Sequence, residues 1–368
     1  MGKRHPSCVG LCYVCSKALT VVLAVGLIVV LGTLLVGQDR RLIEATRQSA
    51  VPEFLRPVII ATPEPSVFAI RDQIFLRCEE NISSLYLTSI NTDDIPTVEF
   101  ENKCFSRAIR NFCQEGSGKR VPNIAHYVWF GNRNMTFYQL VSFLSVHRFQ
   151  KPCLILVHGD VIPTGTYWKY LIRRVPYIIH VHMSQPYKVE NGRKLGSMTH
   201  KSNLARLMVL KEYGGIYLDL DTVLLRSLDP LMDFPVTMSL EYWSNLWNGL
   251  IVAERDPVFI RHWINLFHKQ YYYDPKKYFE FSLFLPTRIA KAHPTWIHVE
   301  NMTFCTPAGN KVNQIFDENF DWKQNYAMHL YIRYYKKHDD VISVRTLNAT
   351  IGSLARLVLY DTKSLLEV

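Results

Sequence analysis

Tyr213-Gly214-Gly215-Ile216-Tyr217-Leu218-Asp219-Leu220-Asp221 passes through a Gly-Gly turn into a short apolar strand that ends on two alternate carboxylates. In an extended segment residues i and i+2 point the same way, so Asp219 and Asp221 can reach one hard cation while Leu220 points into the core. Mg²⁺ and Mn²⁺ are commonly held by one or two protein carboxylates, with substrate phosphates completing the octahedron. The stretch therefore predicts a divalent-metal site, Mn²⁺ or Mg²⁺, at a strand end, with a nucleotide diphosphate as its second partner.

The residues before it read as the helix that delivers this strand. From Thr199 to Tyr213 the apolar positions Leu204, Leu207 and Met208 share a face, Thr199 or Ser202 can cap the start, and Gly214-Gly215 stops the end. Further upstream, Ile124 to Gly131 is a β-prone run after Pro122, Phe137 to Arg148 has helical spacing, and Cys153 to Val157 is a buried-type strand. Thr166 to Arg174 reads as a helix and Ile178 to Val181 as a strand. This alternation predicts an α/β domain with a mainly parallel central sheet, whose ligands gather beyond the strand C-termini, where Asp219 and Asp221 fall.

The 368 residues are 48% hydrophobic, enough for a substantial core. Leu19 to Gly37 lacks charged side chains and as a helix would extend roughly 28 Å at about 1.5 Å per residue, close to the hydrocarbon thickness. It predicts one transmembrane signal anchor, since the run exceeds the h-region of a cleaved signal peptide and Val36-Gly37 makes a poor cleavage site. Lys3, Arg4 and Lys17 before the span balance Arg40, Arg41 and Arg47 after it, so charge does not orient it. The sequons at Asn81, Asn134, Asn301 and Asn348 all follow the span and place that side in the secretory lumen.

The expected organisation is a cytoplasmic tail over 1–18, the anchor over 19–37, a proline-punctuated stem over 38–76, a cysteine-bearing lead-in segment over 77–120, and a catalytic domain over 121–368. Beyond the span stand Cys78, Cys104, Cys113, Cys153 and Cys305, which in an oxidising lumen predict two disulfides and one leftover thiol. Cys78, Cys104 and Cys113 are the first candidates for pairing, although spacing does not fix connectivity. Cys12 and Cys15 beside the membrane either carry palmitate or remain plain thiols. No CxxC pair follows the span, which argues against a zinc cluster. The formal charge of +10 is spread along the chain instead of forming a dense stripe, which argues against a nucleic-acid partner and suits anionic nucleotides or membrane surfaces.

Lys201-Ser202-Asn203-Leu204-Ala205-Arg206, followed by Tyr213 to Thr222, resembles the DXD-containing glycosyltransferases typified by α1,4-galactosyltransferase, α1,4-N-acetylglucosaminyltransferase and the yeast initiating α1,6-mannosyltransferase. In that family an S-D-x-x-R helix leads into G-G-x-Y-x-D-x-D. The resemblance runs from about Val121 to Tyr335 and implies a GT-A-type nucleotide-sugar-binding fold. It implies that Asp219 and Asp221 engage Mn²⁺ and the donor diphosphate, with His329 as a third metal ligand through an imidazole nitrogen. Ser202, Asn203 and Arg206 share a helix face and would contact the donor sugar. Asn203 stands where the family has Asp, so hydrogen bonding survives there without the charge. Asn248-Gly249 matches the N-G step before an apolar strand, Leu250 to Ala253, where a small residue allows close approach of donor or acceptor. His126 and Trp129 lie in the family's first strand, where an aromatic residue can flank the nucleotide base; core packing accounts for Trp129 equally well. The family's G-P-x-x-L-T stretch has only a loose echo in Leu285-Pro286-Thr287, which lacks the glycine.

The resemblance implies a retaining, metal-dependent hexosyltransferase, anchored in the Golgi membrane as a single-pass type II protein. It would move a hexose or N-acetylhexosamine from a nucleotide sugar, a UDP-sugar by preference, to a glycolipid or glycoprotein glycan in α-linkage. No nucleophile stands out, which favours a front-face path in which the leaving phosphate helps deprotonate the acceptor. The alternative, motivated by Asn203 and the missing glycine, is an inactive membrane-tethered glycan-binding or scaffold protein derived from such a transferase. A haloacid-dehalogenase-type phosphatase is set aside because Thr222 directly follows Asp221, whereas D-x-D-G-T places its threonine two positions beyond the second Asp.

Overall fold

The computed structural model describes residues 95–114, 118–241, 244–335 and 339–366, all within the unit Pro57–Val368. The predicted tail, anchor and stem lie outside the described residues. Among the described residues no helix is long and apolar enough to cross a membrane.

An eight-stranded sheet forms the centre. Its strands are β1 (Thr97–Glu99), β2 (Ile124–Val128), β3 (Leu154–Gly159), β4 (Ile178–His182), β5 (Gly215–Leu218), β7 (Val236–Leu240), β8 (Leu246–Ala253) and β9 (His298–Glu300), in the order β1-β4-β3-β2-β5-β8-β7-β9. The pairs from β1 through β5 are parallel, as is β7 with β9, while β8 runs antiparallel to both β5 and β7. The two remaining strands, β6 (Thr222–Leu224) and β10 (Ala327–His329), form a separate antiparallel pair in which His329 stands opposite Thr222. The sheet is thus mixed α/β and mainly parallel, as the alternation of sequence patterns predicts.

Every residue of β2, β3, β5 and β8 is buried, so both faces of the sheet centre are covered. Two groups of helices do this. Helix α4 (Met198–Tyr213) packs on β2 and β5 with α1 (Lys103–Cys113) and α5 (Val258–Gln270) beside it. Helix α2 (Phe137–Phe149) packs with α3 (Thr166–Arg174) and α9 (Thr350–Tyr360) over β6. Short helices α6 (Leu285–Ala292), α7 (Asn313–Phe316) and α8 (Ser343–Thr346) complete the chain. The Tyr127 ring of β2 stacks on Phe143 of α2 at 3.8 Å, one of the contacts that lock the sheet to its cover.

The predicted elements recur with most ends shifted by a residue or two; β2 stops at Val128, three residues before Gly131, and β8 begins at Leu246, four residues before Leu250. Helix α4 is capped by Ser197, whose side chain accepts from the His200 N–H, and not by Thr199 or Ser202; Ser202 instead donates its hydroxyl to the Thr199 carbonyl inside the helix. The lead-in segment adds β1 to the sheet edge and sets α1 against α4, where Ser106 Oγ donates to Glu212 at 2.7 Å. Cys113 is bonded to Cys153, which corrects the expectation that it pairs first with Cys78 or Cys104. Cys104 is also disulfide-bonded, and among the described residues Cys305 is a free, buried thiol.

Chain direction creates the site. From β2 the chain moves outward to β3 and β4, then returns through α4 to place β5 on the other side of β2. The order reverses between β2 and β5, so the loops leaving their C-terminal ends diverge and leave a crevice.

Candidate active site

A cavity of about 650 Å³ opens at that crevice. The loop after β2 lends it Phe130 and Arg133, and the end of β5 lends it Asp219, Leu220 and Asp221. Its walls also hold Ser202, Asn203 and Arg206 of α4, Asn248 of β8 and His329 of β10. Seven of the ten predicted site residues therefore line one space.

The Gly-Gly turn that sets this up has a steric basis. Gly214 and Gly215 take φ of 68° and 100°, which glycine alone adopts freely. A Cβ on Gly215 would come within 2.5 Å of the Ile124 carbonyl oxygen, so the turn also lets β5 close onto β2.

Arg206 is the hub of the wall that α4 contributes. Its side chain is 3% exposed, and Nη1 lies 3.1 Å from Asp219 Oδ1 while donating to the Asn248 carbonyl at 2.7 Å. Nε donates to the Ser202 carbonyl, and the guanidinium carbon sits 4.5 Å from the centroid of the Tyr217 ring. The Tyr217 hydroxyl donates to the same Asp219 Oδ1 at 2.8 Å. Both contacts fall on Oδ1, so Asp219 Oδ2 has no hydrogen bond among the described residues.

Asp221 is held differently. Its Oδ1 lies 3.1 Å from His329 Nε2, and Oδ2 accepts from the Ile332 N–H at 3.2 Å. Burial pushes the Asp221 carboxyl up, but His329 and these hydrogen bonds outweigh it and hold the group below its ordinary value. Burial likewise pushes His329 down, and Asp221 outweighs it, so the imidazole is held above its usual value. His329 Nδ1 is buried without a partner among the described residues.

Asn203 and Asn248 form an amide pair across the wall, Asn248 Nδ2 donating to Asn203 Oδ1 at 3.0 Å. The Asn203 Nδ2 is buried without a partner among the described residues. Gly249 does not line the cavity; its absent side chain makes room for the site. A Cβ there would fall 2.7 Å from Asp219 Oδ2 and 2.1 Å from the Trp247 ring, and its carbonyl accepts from the Asp219 N–H at 2.7 Å.

His126 and Trp129 are placed in the core, away from the cavity wall. His126 is fully buried, with Nε2 2.7 Å from the Gly214 carbonyl and Nδ1 3.0 Å from His158, and burial lowers its pKa to about 3. It serves the Gly-Gly turn as a neutral hydrogen-bonding group. Trp129 is fully buried beneath Arg133, whose guanidinium lies 4.5 Å from the indole centroid. The aromatic group that the β2 end does present to the cavity is Phe130.

Several wall residues carry no prior expectation: Arg133, Tyr217, Glu241, Trp247 and Tyr331. Tyr217 had a signal, since it sits two positions before Asp219 and shares its strand face. The others reach the cavity through tertiary packing that no local spacing encodes.

The donor set suits a divalent cation shared with a diphosphate: two carboxylates at one strand end, one with an uncommitted oxygen. Among the described residues no group of three His, Cys, Asp or Glu side chains forms a cluster that could hold a metal. His329 Nε2 lies 3.1 Å from Asp221 Oδ1, and its Nδ1 has no partner among the described residues.

Part of this chain is similar to known proteins. A family model described as the glycosyltransferase sugar-binding region containing DXD motif matches residues 153–236, which span Ser202, Asn203, Arg206, Asp219 and Asp221. Glucan organizing enzyme 1 of Cryptococcus neoformans var. grubii is 27% identical over 236 residues, covering 58% of this chain and 63% of its own. Inositol phosphoceramide mannosyltransferase 3 of Schizosaccharomyces pombe is 28% identical over 135 residues, covering 36% and 33%. The match thus spans less than two thirds of either relative's length. Among solved structures, the galactosyltransferase LgtC in complex with donor and acceptor sugar analogues shares 15% identity at a TM-score of 0.32, over 49% of this chain and 74% of that one. The helix and strand that build the cavity wall thus lie in a region, residues 153–236, that matches the sugar-binding region of DXD-containing glycosyltransferases.

Proposed function

We propose that this chain is a GT-A-type, metal-dependent, retaining glycosyltransferase that moves a hexose or N-acetylhexosamine from a nucleotide sugar, a UDP-sugar first, to a glycan on lipid or protein in α-linkage. The observation that carries the reading is the Arg206–Asp219 contact at the mouth of the β2/β5 crevice, flanked by the Asn203–Asn248 amide pair. It sets a carboxylate for a cation–diphosphate group beside neutral donors and acceptors suited to sugar hydroxyls.

In this reading Arg206 fixes Asp219 in one rotamer, and Tyr217 supports it from below. Asn203 and Asn248 orient the sugar, with the unpartnered Asn203 Nδ2 available to a hydroxyl oxygen. A divalent cation, when bound by Asp219 and Asp221, supplies neutralising charge for the departing diphosphate. The acceptor hydroxyl attacks the anomeric carbon from the face the phosphate leaves, and the leaving phosphate oxygen takes the hydroxyl proton. The protein contributes positioning and a preorganised electrostatic wall.

The charge-free run Leu19 to Gly37 and the four sequons beyond it support a type II anchor with the catalytic part in the Golgi lumen. The Cys113–Cys153 disulfide supports an oxidising compartment. The fission-yeast relative is named for mannosyl transfer to inositol phosphoceramide, which supports a lipid-borne acceptor and adds GDP-mannose to the donors worth testing.

A thermal-shift screen of UDP- and GDP-sugars with Mn²⁺ tests the donor. A binder present at 100 times its Kd stabilises the fold by about 2.7 kcal/mol. Absence of any shift across the panel, with the protein folded, opposes the reading.

A further inference from the structure

The cavity holds a third carboxylate that the donor reading leaves unused. Glu241 follows the end of β7, on the antiparallel half of the sheet, and lines the same space as Asp219 and Asp221. The other two carboxylates each face a cationic or cation-forming partner, Arg206 for Asp219 and His329 for Asp221. Among the described residues no Lys, Arg or His lies within ion-pair distance of Glu241; its charge reaches His329 only through space, beside the stronger pull of Asp221, and its side-chain hydrogen bond comes from a neutral phenol, Tyr331 Oη donating to Oε1 at 3.2 Å.

Tyr331 is held for this contact. Its backbone lies in the left-handed region, φ 51° and ψ 41°, which is costly for an aromatic residue. The ring packs 3.9 Å from the His329 ring, and Gly309 gives it space: a Cβ there would come within 2.9 Å of the tyrosine Cε1. A line of contacts therefore runs along the wall from Asp221 to His329, to Tyr331, to Glu241. Glu241 stands at its far end, beyond the strand terminus where the diphosphate would sit. Phe279 and Tyr334, 41% and 56% exposed, also line the cavity and offer aromatic faces.

A carboxylate without a cation needs hydrogen-bond donors, and the polar faces of sugars supply them as hydroxyls, while their C–H faces stack on aromatic rings. We propose that Glu241, positioned by Tyr331, is the acceptor-binding carboxylate: it receives hydrogen bonds from hydroxyls of a neutral acceptor sugar whose ring rests on Phe279 or Tyr334. Glu241 orients the acceptor and takes no proton from it; the proton still leaves with the phosphate. The inference rests on the glycosyltransferase reading above.

The experiment uses the full-length protein in detergent, with UDP-galactose, UDP-glucose, UDP-N-acetylglucosamine and GDP-mannose as donors. Acceptor probes are the p-nitrophenyl glycosides of galactose, glucose, mannose and N-acetylglucosamine. Nucleotide release without acceptor is compared with sugar transfer for the wild type, Glu241→Ala, Glu241→Gln and Tyr331→Phe. Glu241→Ala raises the acceptor KM and lowers the ratio of transfer to hydrolysis at least tenfold. Glu241→Gln, which keeps an accepting oxygen, recovers part of the loss, and Tyr331→Phe falls between.

An unchanged acceptor KM in Glu241→Ala overturns the assignment, as does a covalent glycosyl adduct on Glu241. Equal loss of hydrolysis and transfer in a folded Glu241→Ala protein also overturns it, by moving the residue to the donor side. Failure of the wild type to turn over any donor is a separate result: it overturns the transferase reading itself, and this inference with it.

Discussion

Arg206 Nη1 stands 3.1 Å from Asp219 Oδ1, with the arginine side chain 3% exposed and the aspartate 26% exposed. The arginine is also spent on the Asn248 carbonyl and the Ser202 carbonyl, so one buried guanidinium ties α4, β5 and β8 together at the site.

Removing that hub has two consequences. Arg206→Ala leaves Asp219 with the Tyr217 hydroxyl but no cation and leaves the Asn248 carbonyl without the guanidinium, and loss of one partner of a buried pair costs about 3–5 kcal/mol; the partial exposure of Asp219 puts the value at the lower end. Urea unfolding measures it. Donor turnover falls at least a hundredfold in whatever fraction stays folded, because the Asp219 rotamer is released.

Asn203 lines the end of the cavity proposed to hold the sugar. In Asn203→Asp the orphaned amide donor disappears while the oxygen that accepts from Asn248 remains. The substitution changes the ranking of donors in a turnover panel, and the preferred sugar shifts toward one with a hydroxyl where the carboxylate now accepts. An unaltered ranking would show that Asn203 does not touch the donor sugar.

Gly249→Ala tests the space behind Asp219. The added Cβ falls 2.1 Å from the Trp247 ring and 2.7 Å from Asp219 Oδ2, on a strand that cannot retreat. Overpacking of this kind costs about 1–3 kcal/mol. Calorimetry would show the lower Tm, and the metal dependence of donor hydrolysis would shift to higher Mn²⁺ concentration.

The buried histidines give a pH signature. Burial lowers His126 to about 3 from an ordinary 6.5, and holds His158 well below its usual value by burial and the neighbouring histidines. With folded pKa values below the unfolded ones, the unfolded chain binds more protons in the window between them. Their contribution to stability is complete above about pH 6.5 and is lost as the pH falls toward 3. The expected slope is about 1.4 kcal/mol per pH unit per histidine within that window. Urea unfolding at pH 7, 6 and 5 should show stability falling with pH; a flat profile would contradict it.

Much of the fold follows from local pattern. The Gly214-Gly215 pair marks the end of α4 and the start of β5, and the runs at Ile124, Cys153 and Ile178 read as parallel strands because they are largely apolar, His126 and His180 apart, as strands covered on both faces are. The carboxylate end of the cavity is equally legible, since i, i+2 spacing alone predicts Asp219 and Asp221 on one side, and both line the cavity. His126 is harder: a histidine in a strand near a site looks like a ligand, and only the packing of β2 against the Gly-Gly turn shows that it faces the Gly214 carbonyl. Glu241 and Tyr331 are ninety residues apart in sequence, and neither lies in a motif; a left-handed tyrosine and a cavity-facing glutamate become visible once β7 and the segment after β10 are side by side. The disulfide from Cys113 to Cys153 likewise depends on α1 meeting the start of β3, a distance no cysteine count contains.

The central claim is that Asp219 and Asp221 anchor a cation–diphosphate group in a working sugar transferase. The most direct measurement is nucleotide release from UDP-sugars and GDP-mannose by the full-length protein, with Mn²⁺ and with chelator, for the wild type, Asp219→Asn and Asp221→Asn. The account predicts release from at least one donor that is lost with chelator and reduced at least a hundredfold in both variants, with folding intact. Release that is indifferent to chelator and to both substitutions, or no release from any donor by a folded wild type, would contradict it.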